Sequence, residues 1–547
     1  MIAVVAMTVI SPVSAMTNVE NIADTIIVQS VNVDSQAEDL NNPPELTQAA
    51  FSARNKVYVI KNDFVLIEDI IIPPNSLLEF DGGSLNGAHT ITGNNTRIQA
   101  GLDKIFSTDV IFAGKWKVPE AYPEWFGAKG DGETDDLLAI ESAIRLSNIR
   151  LQGKTYYISE TLNINSNRSV VGEKGATVIK ISDHGKKHSI VILSEASGVT
   201  IKDIVFTVDN FEWAARYNND HKSEEYRRYN KLREQEIRGG IRLEKGCSNV
   251  TIDGIEVYNS GYGILAYMSN KNVIIRNCYI HHTMVDGIAM YVGNSLFVVE
   301  NNRLEYTCDD AISVVSTHDG GIKEECSDII VRGNYISNCY SRPFIVNGSK
   351  NITFENNTVI KNGLQLFYIS NYTGNSSVDP LSRPNNIKVL NNSFCYSYLN
   401  VPPSIDNRLF IANAVDTFIF EGNVITYCDE YDASKGNYIQ IYNATKVKYK
   451  NNVTEHAGVK IINSREILFK NNTARVNAEN VVTIESSVSF NISNNSIQGT
   501  NAAPSKINVF SSSSKGKVKN NKTDNCINAI GKGAKGIKAK NNVSIER

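Results

Sequence analysis

Four stretches decide the fold: SGYGILAY (260–267), VDGIAMY (285–291), CDDAISVV (308–315) and YSRPFIVNGS (340–349). With Gly263, Gly287 and Ala311 set in one column, Ile264, Ile288 and Ile312 fall in the next. In that register Asp286 lies under Asp310, and Asp309 sits one position earlier. Such a pattern belongs to a solenoid, in which each repeat is one turn of chain stacked on the last. Rungs of a parallel coil are about 4.8 Å apart, so three carboxylates converge on two neighbouring rungs.

Outward from these stretches one form recurs, as in IIVRGNYISNC (329–339), ITFENNTVIKN (352–362) and ILFKNNTARVN (467–477). Each copy has alternating apolar residues, a polar pair at a turn and a second short strand. The second members of the turn pairs run Asn277, Asn302, Asn334, Asn357, Asn392, Asn423, Asn452, Asn472, Asn495, Asn521 and Asn542, at intervals of 20 to 35 residues. One interval is one rung, with loops inserted in the longer ones. Asn tolerates left-handed backbone, and stacked amides can bond along a ladder. Both properties are expected of this single column, so its Asn-x-Ser/Thr matches read as structural, not as glycosylation sites.

The chain has 547 residues, of which 41% are hydrophobic and 21% charged, with net charge −3. That is a soluble folded composition, and the charge argues against nucleic acid as a partner, although local patches remain open. No run reaches the roughly 18 apolar residues that span a membrane. The start, AVVAMTVI followed by SPVSA, has the apolar core and small-residue site of a signal peptide, so cleavage after Ala15 and export to the surface, periplasm or medium of a bacterium are expected. The basic residues that usually precede such a core are missing. The eight cysteines lack the spacing of a disulfide framework or of a metal site, and free buried thiols are expected.

Residues 16–118 read as a polar lead-in followed by a small β unit, and 119–547 as the solenoid. At the start of the latter, PEWFGAKGDGETDDLLAIESAI (123–144) carries a helix start at Thr134, then Leu137, Ile140 and Ile144 at helical spacing. Asp131, Asp135 and Asp136 are read as structural. This run resembles the N-terminal signature of the pectate-lyase-like superfamily, the rhamnogalacturonase/epimerase type. The resemblance implies a single right-handed parallel β-helix, all-β, with the helix over 134–146 capping its first turn.

One block, residues 209–238, interrupts the repeats. It mixes charges of both signs with Trp213, Tyr217, Tyr226 and Tyr229. It reads either as an exposed helical insertion with paired charges or as a lid beside the carboxylates.

Like charges as close as Asp286, Asp309 and Asp310 cannot all stay ionised cheaply, so one pKa should rise. A protonated and an ionised carboxyl flanking a glycosidic bond are what acid/base hydrolysis needs. Asp310 is the expected acid, with Asp286 and Asp309 holding water. Arg342 is a candidate for a substrate carboxylate or for proton abstraction. His318 is the best placed of His281, His282 and His318, and Tyr262, Tyr291 and Trp213 are candidates to stack on sugars.

Asp286-Gly287-Ile288 and Asp309-Asp310-Ala311-Ile312 also resemble the site pattern of polygalacturonase-like glycosidases and the β-helical α-1,3-galactosidases. The chain departs from the pectin hydrolases at Met284-Val285, where they carry Asn-Thr, and at Ser341-Arg342-Pro343, where they carry Gly-His-Gly. The galactosidases therefore fit better. The resemblance implies an inverting glycoside hydrolase acting on carbohydrate without a cofactor, its acid and base roughly 6.5–9.5 Å apart. Two rival expectations are a polysaccharide lyase, with Ca²⁺ on the Asp cluster and Arg342 taking a C5 proton, and a tailspike-type module that only binds glycan.

Overall fold

The computed structural model describes residues 25–27, 44–180, 189–209, 211–216, 223–235, 239–317, 322–371, 382–398, 408–428, 437–476, 480–499, 506–509, 513–524, 529–530 and 535–545. The expected signal segment, 1–15, and His318 lie outside them. No described helix is long and apolar enough to cross a membrane.

Two compact units divide the chain between Gly127 and Ala128, with residues 145–147 grouped with the first. The first unit holds a six-stranded and a three-stranded sheet, paired in parallel. It extends past residue 118 because Ile105 and Phe106 N–H both donate to Trp125 O at 2.9 Å, and Trp125 Nε1 donates to Gly101 O at 2.7 Å.

The second unit is a β-helix of three parallel sheets with 15, 16 and 14 strands. They are called here the first, second and third sheet, in the order in which a rung meets them. One rung runs Lys271–Arg276, Tyr279–Thr283 and Ile288–Tyr291, and the next Ser295–Glu300, Arg303–Thr307 and Ile312–Val315. Alternation selects the core. Val273, Phe297, Ile329 and Ile352 are register partners and all fully buried, while their sequence neighbours face outward.

The Asn turns divide between two columns what the sequence assigns to one. The first members, Asn277, Asn301, Asn356, Asn391, Asn451, Asn471, Asn494, Asn520 and Asn541, take the left-handed backbone, with φ near +55°, and Gly333 and Gly422 stand in for them on two rungs. The second members form the ladder and are buried from Asn302 to Asn521. Asn334 N and Nδ2 both donate to Asn357 Oδ1 at 3.0 Å, and the pattern repeats from Asn302 to Asn542. Asn277 belongs to the outer column, and the ladder position on its rung is Cys278, whose N–H donates to Asn302 Oδ1 at 3.0 Å. Replacing Asn357 by Ala leaves two buried donors of Asn334 without an acceptor, so a loss of about 1–3 kcal/mol is expected in chemical denaturation. Asn356→Gly, one residue away, keeps the same backbone and should change stability by less than about 0.5 kcal/mol. Equal effects at the two positions would contradict the division.

The helix spans Leu137–Leu146, starting later than Thr134. Thr134 lies instead in a short strand, Asp131–Asp135, where the Asp131 carboxylate accepts from Thr134 N at 2.8 Å and from Thr134 Oγ1 at 2.8 Å. Asp136 accepts from Lys129 N and Gly130 N at 2.7 and 3.0 Å, and Asp135 from Leu137 N at 3.1 Å. These acids serve the backbone. Leu137, Ile140, Ala143 and Ile144 are buried at the start of the coil, the face that a solenoid must cover. Arg168 Nε donates to Ile144 O at 2.6 Å and ties the helix to a rung.

Cys247, Cys278, Cys308, Cys326 and Cys339 are free and buried. Burial pushes Cys278, Cys326 and Cys339 up to about 12, which makes them packing residues, not nucleophiles. Cys395 and Cys428 depart from the expectation of free thiols. They stand on adjacent rungs, Cα atoms 5.2 Å apart, and form a disulfide.

Candidate functional site

The corner between the second and third sheets carries the carboxylates. Ile264, Ile288, Ile312 and Phe344 are register partners. Two residues earlier, the same column therefore reads Tyr262, Asp286, Asp310 and Arg342 on four successive rungs. Gly287 is required there: a Cβ would come within 2.7 Å of Ala311 O and 2.6 Å of Leu304 Cδ2. The sequence register of Asp286 beneath Asp310 is the register of the structure.

Oxygens of Asp286, Asp309 and Asp310 lie within 4.8 Å of one another. That is closer than the spacing expected of an inverting pair, because Asp286 and Asp310 stand on adjacent rungs and Asp309 is the sequence neighbour of Asp310. The cluster is also not an open groove, since Asp286 is 2% and Asp310 5% exposed. Only Asp309 keeps appreciable access, its side chain 19% exposed.

Each carboxylate has its own partners. Asp286 Oδ2 accepts from Tyr291 OH at 2.5 Å and Ser313 Oγ at 2.6 Å, and Oδ1 from Asp310 N–H at 3.1 Å. Asp310 receives Arg342 Nε at 2.7 Å and Nη2 at 3.1 Å, with Ser341 Oγ at 3.2 Å. Asp309 takes Arg216 Nη1 at 2.9 Å, and Arg233 Nη2 stands 3.9 Å away.

These surroundings divide the pKa values. Burial, then the charges of Asp310 and Asp309, push Asp286 up to about 8 against the hydrogen bonds of Ser313 and Tyr291. Burial also raises Asp310, with Arg342 opposing it and Asp309 reinforcing it. At Asp309 burial is outweighed by Arg216, Arg342 and Arg233, which hold the carboxyl below its usual range. Near neutral pH the cluster thus keeps a proton on the Asp286–Asp310 pair beside an ionised Asp309.

Arg216 and Arg233 were not among the sequence candidates. They come from the insertion, whose described parts are residues 211–216 and a helix at Glu224–Gln235. Tyr229 and Leu232 of that helix pack on Met284, Val285 and Cys308, ringed by Phe211, Trp213, Ala214, Tyr226 and Tyr262. Tyr229 OH donates to Met284 O at 3.0 Å. Met284-Val285 thus forms the apolar seat of the insertion. The block is both things the sequence allowed: its outer side pairs Arg228 with Glu212, and its inner side covers the carboxylates.

Two stacking candidates have other work. Tyr291 is hydrogen-bonded to Asp286, and its ring meets Tyr262 edge-on at 6.2 Å. Trp213 is held among His282, Tyr340 and Tyr306, at 4.9, 5.9 and 6.2 Å, and so anchors the insertion to the second sheet. Arg342 cannot act as a base, because Asp310 and Asp309 raise its pKa despite its burial. The three carboxylates are close enough to share a metal ion, but a Ca²⁺ would compete with their present partners. It takes six to eight oxygen ligands, and these oxygens already serve arginines, hydroxyls and an amide.

With Arg216 replaced by Gln, Asp309 loses its closest cation and its pKa should climb toward the ordinary value. In a pH–rate profile the acid limb should move up by as much as about one unit, and Arg216→Lys should restore part of the shift. An unmoved limb would remove Asp309 from the titrating groups.

The family model described as the right handed beta helix region matches residues 162–320 and 226–394, and the solenoid is a right-handed parallel β-helix. The mannuronan C5-epimerase AlgE6 of Azotobacter vinelandii is 26% identical over 250 residues, which is 44% of this chain and 27% of that protein. The chain thus spans about a quarter of that relative's length. Among solved structures, the exopolygalacturonase of Thermotoga maritima is 16% identical with a TM-score of 0.41, covering 71% of this chain and 88% of that one. The N-terminal fragment of bacteriophage phi29 gene product 12 is 14% identical with a TM-score of 0.49, covering 76% and 70%.

Proposed function

We propose that this β-helix is a carbohydrate-active enzyme that hydrolyses a glycosidic bond at Asp286, Asp309 and Asp310. The observation that carries the reading is the pairing of a carboxyl kept protonated with one kept ionised at one corner of the coil. Environments that push neighbouring carboxyls apart are how one site holds an acid and a base at one pH. The Asp286–Asp310 pair supplies the proton to the leaving oxygen, delivered by Asp310, the more exposed of the two. Asp309, accessible and anionic, activates water. Asp286 is therefore the proton store, where the sequence had it holding water with Asp309.

Three guanidiniums at the site, those of Arg216, Arg233 and Arg342, support a sugar that carries an anionic group.

The test is a panel of plant, host and microbial glycans, acidic ones included, followed for released reducing ends and for near-ultraviolet absorbance. New reducing ends without absorbance support hydrolysis. Absorbing products would replace it with elimination, and tight binding without turnover would replace it with the glycan-binding reading.

A further inference from the structure

On the outer face of the first sheet, one register column reads Asp253, Arg276, Glu300, Arg332 and Glu355 on consecutive rungs. The signs alternate and neighbours pair, with Arg276 Nη2 2.9 Å from Asp253 and Arg332 Nη2 2.6 Å from Glu300. The column continues through Leu390 to Glu421 and Lys450, which pair at 2.8 Å. Then alternation stops: the next positions are Lys470, Ser493, Lys519 and Lys540. The adjacent outer column also ends on lysines, Lys517 beneath Lys538.

Lys515 and Lys535 lie on the same two rungs, and all six of Lys515, Lys517, Lys519, Lys535, Lys538 and Lys540 are exposed. None of the six pairs with a described carboxylate. Like charges set directly opposite one another in a sheet destabilise it. The earlier rungs avoid that cost by alternating signs, so these rungs keep it for something outside the fold.

We propose that this comb of lysines is a docking surface for an anionic polysaccharide chain. The six lysines form a patch on two rungs, about 4.8 Å apart between rungs and about 7 Å apart at alternate residues along a strand, a spacing of repeated charge that suits a linear polyanion. No exposed aromatic or large apolar side chain lies on these rungs among the described residues. Single-stranded nucleic acid would need stacking platforms and a membrane surface would need apolar anchors. The surface lies outside the carboxylate site, and the proposal goes beyond the hydrolase reading.

The test uses the full chain on immobilised polygalacturonate or alginate, beside a neutral glucan, over a salt series. The wild type should bind only the acidic polymers, and log K should fall linearly with log salt. The variant Lys517→Gln/Lys519→Gln/Lys538→Gln/Lys540→Gln should lose at least about tenfold in affinity at low salt and show a shallower slope. Its thermal midpoint should hold or rise as repulsion falls. If the melt shows it unfolded, Lys519→Gln/Lys540→Gln replaces it, with a smaller loss expected. Cleavage of a short oligosaccharide should be unchanged in these variants, and Asp310→Asn should still bind polymer, so the two readings fail separately. Equal binding to neutral glucan, unchanged binding by the folded variant, or stronger capture on single-stranded nucleic acid or anionic vesicles would overturn the proposal.

Discussion

Turnover of an identified glycan should fall by about 10²–10⁴-fold when Asp310 is replaced by Asn, the range for removing one general acid. The variant should also be less stable. Repulsion at the cluster alone would suggest the reverse, since Asn removes a charge beside Asp286 and Asp309. Two facts decide against relief. Asp286 already carries its proton at neutral pH, and the charge of Asp309 is offset by Arg216, Arg342 and Arg233, so little repulsion is there to relieve. Arg342 meanwhile loses its charged partner, and the amide of Asn would face one of its N–H groups. The Arg342 side chain is only 23% exposed, so the cost should be about 1–3 kcal/mol. A stable variant with near-normal turnover would remove Asp310 from the chemistry.

Asp286→Asn should change the pH dependence of stability more than stability itself. The amide is accommodated, because Tyr291 OH and Ser313 Oγ can turn and accept from it. In the wild type the folded pKa is about 8 against an unfolded value of 3.8. Between those values the native state holds a proton that the unfolded state has lost. This group's stabilisation is therefore full below the unfolded value and drains away as pH rises, by up to about 1.4 kcal/mol per unit. Asp309 has the opposite sign: its lowered pKa contributes above the unfolded value and is lost as pH falls below it. Denaturation at pH 5, 7 and 9 should show the variant gaining on the wild type with each step, and turnover near neutral pH should fall, because the proton that Asp310 delivers is stored on Asp286. Parallel stability curves would mean that Asp286 is ionised throughout.

The coil and the corner where the three acids meet are legible in the amino-acid sequence. Both follow from period: apolar alternation and Asn turns specify rungs, and aligned Ile264, Ile288 and Ile312 put Asp286 beneath Asp310 without any long-range information. It did not separate the left-handed Asn column from the buried one, because adjacent identical residues look alike until burial distinguishes them. The state of the carboxylates depends on the folded chain. Arg216 reaches Asp309 across 93 residues of sequence, and no local pattern encodes that contact. The seating of Tyr229 on Met284 closes the site, turning a groove inferred from the repeat into a covered cluster. Ionisation depends on such burial and on the nearest opposite charge, both properties of the folded chain. The sequence could name the three acids, and packing assigned the proton.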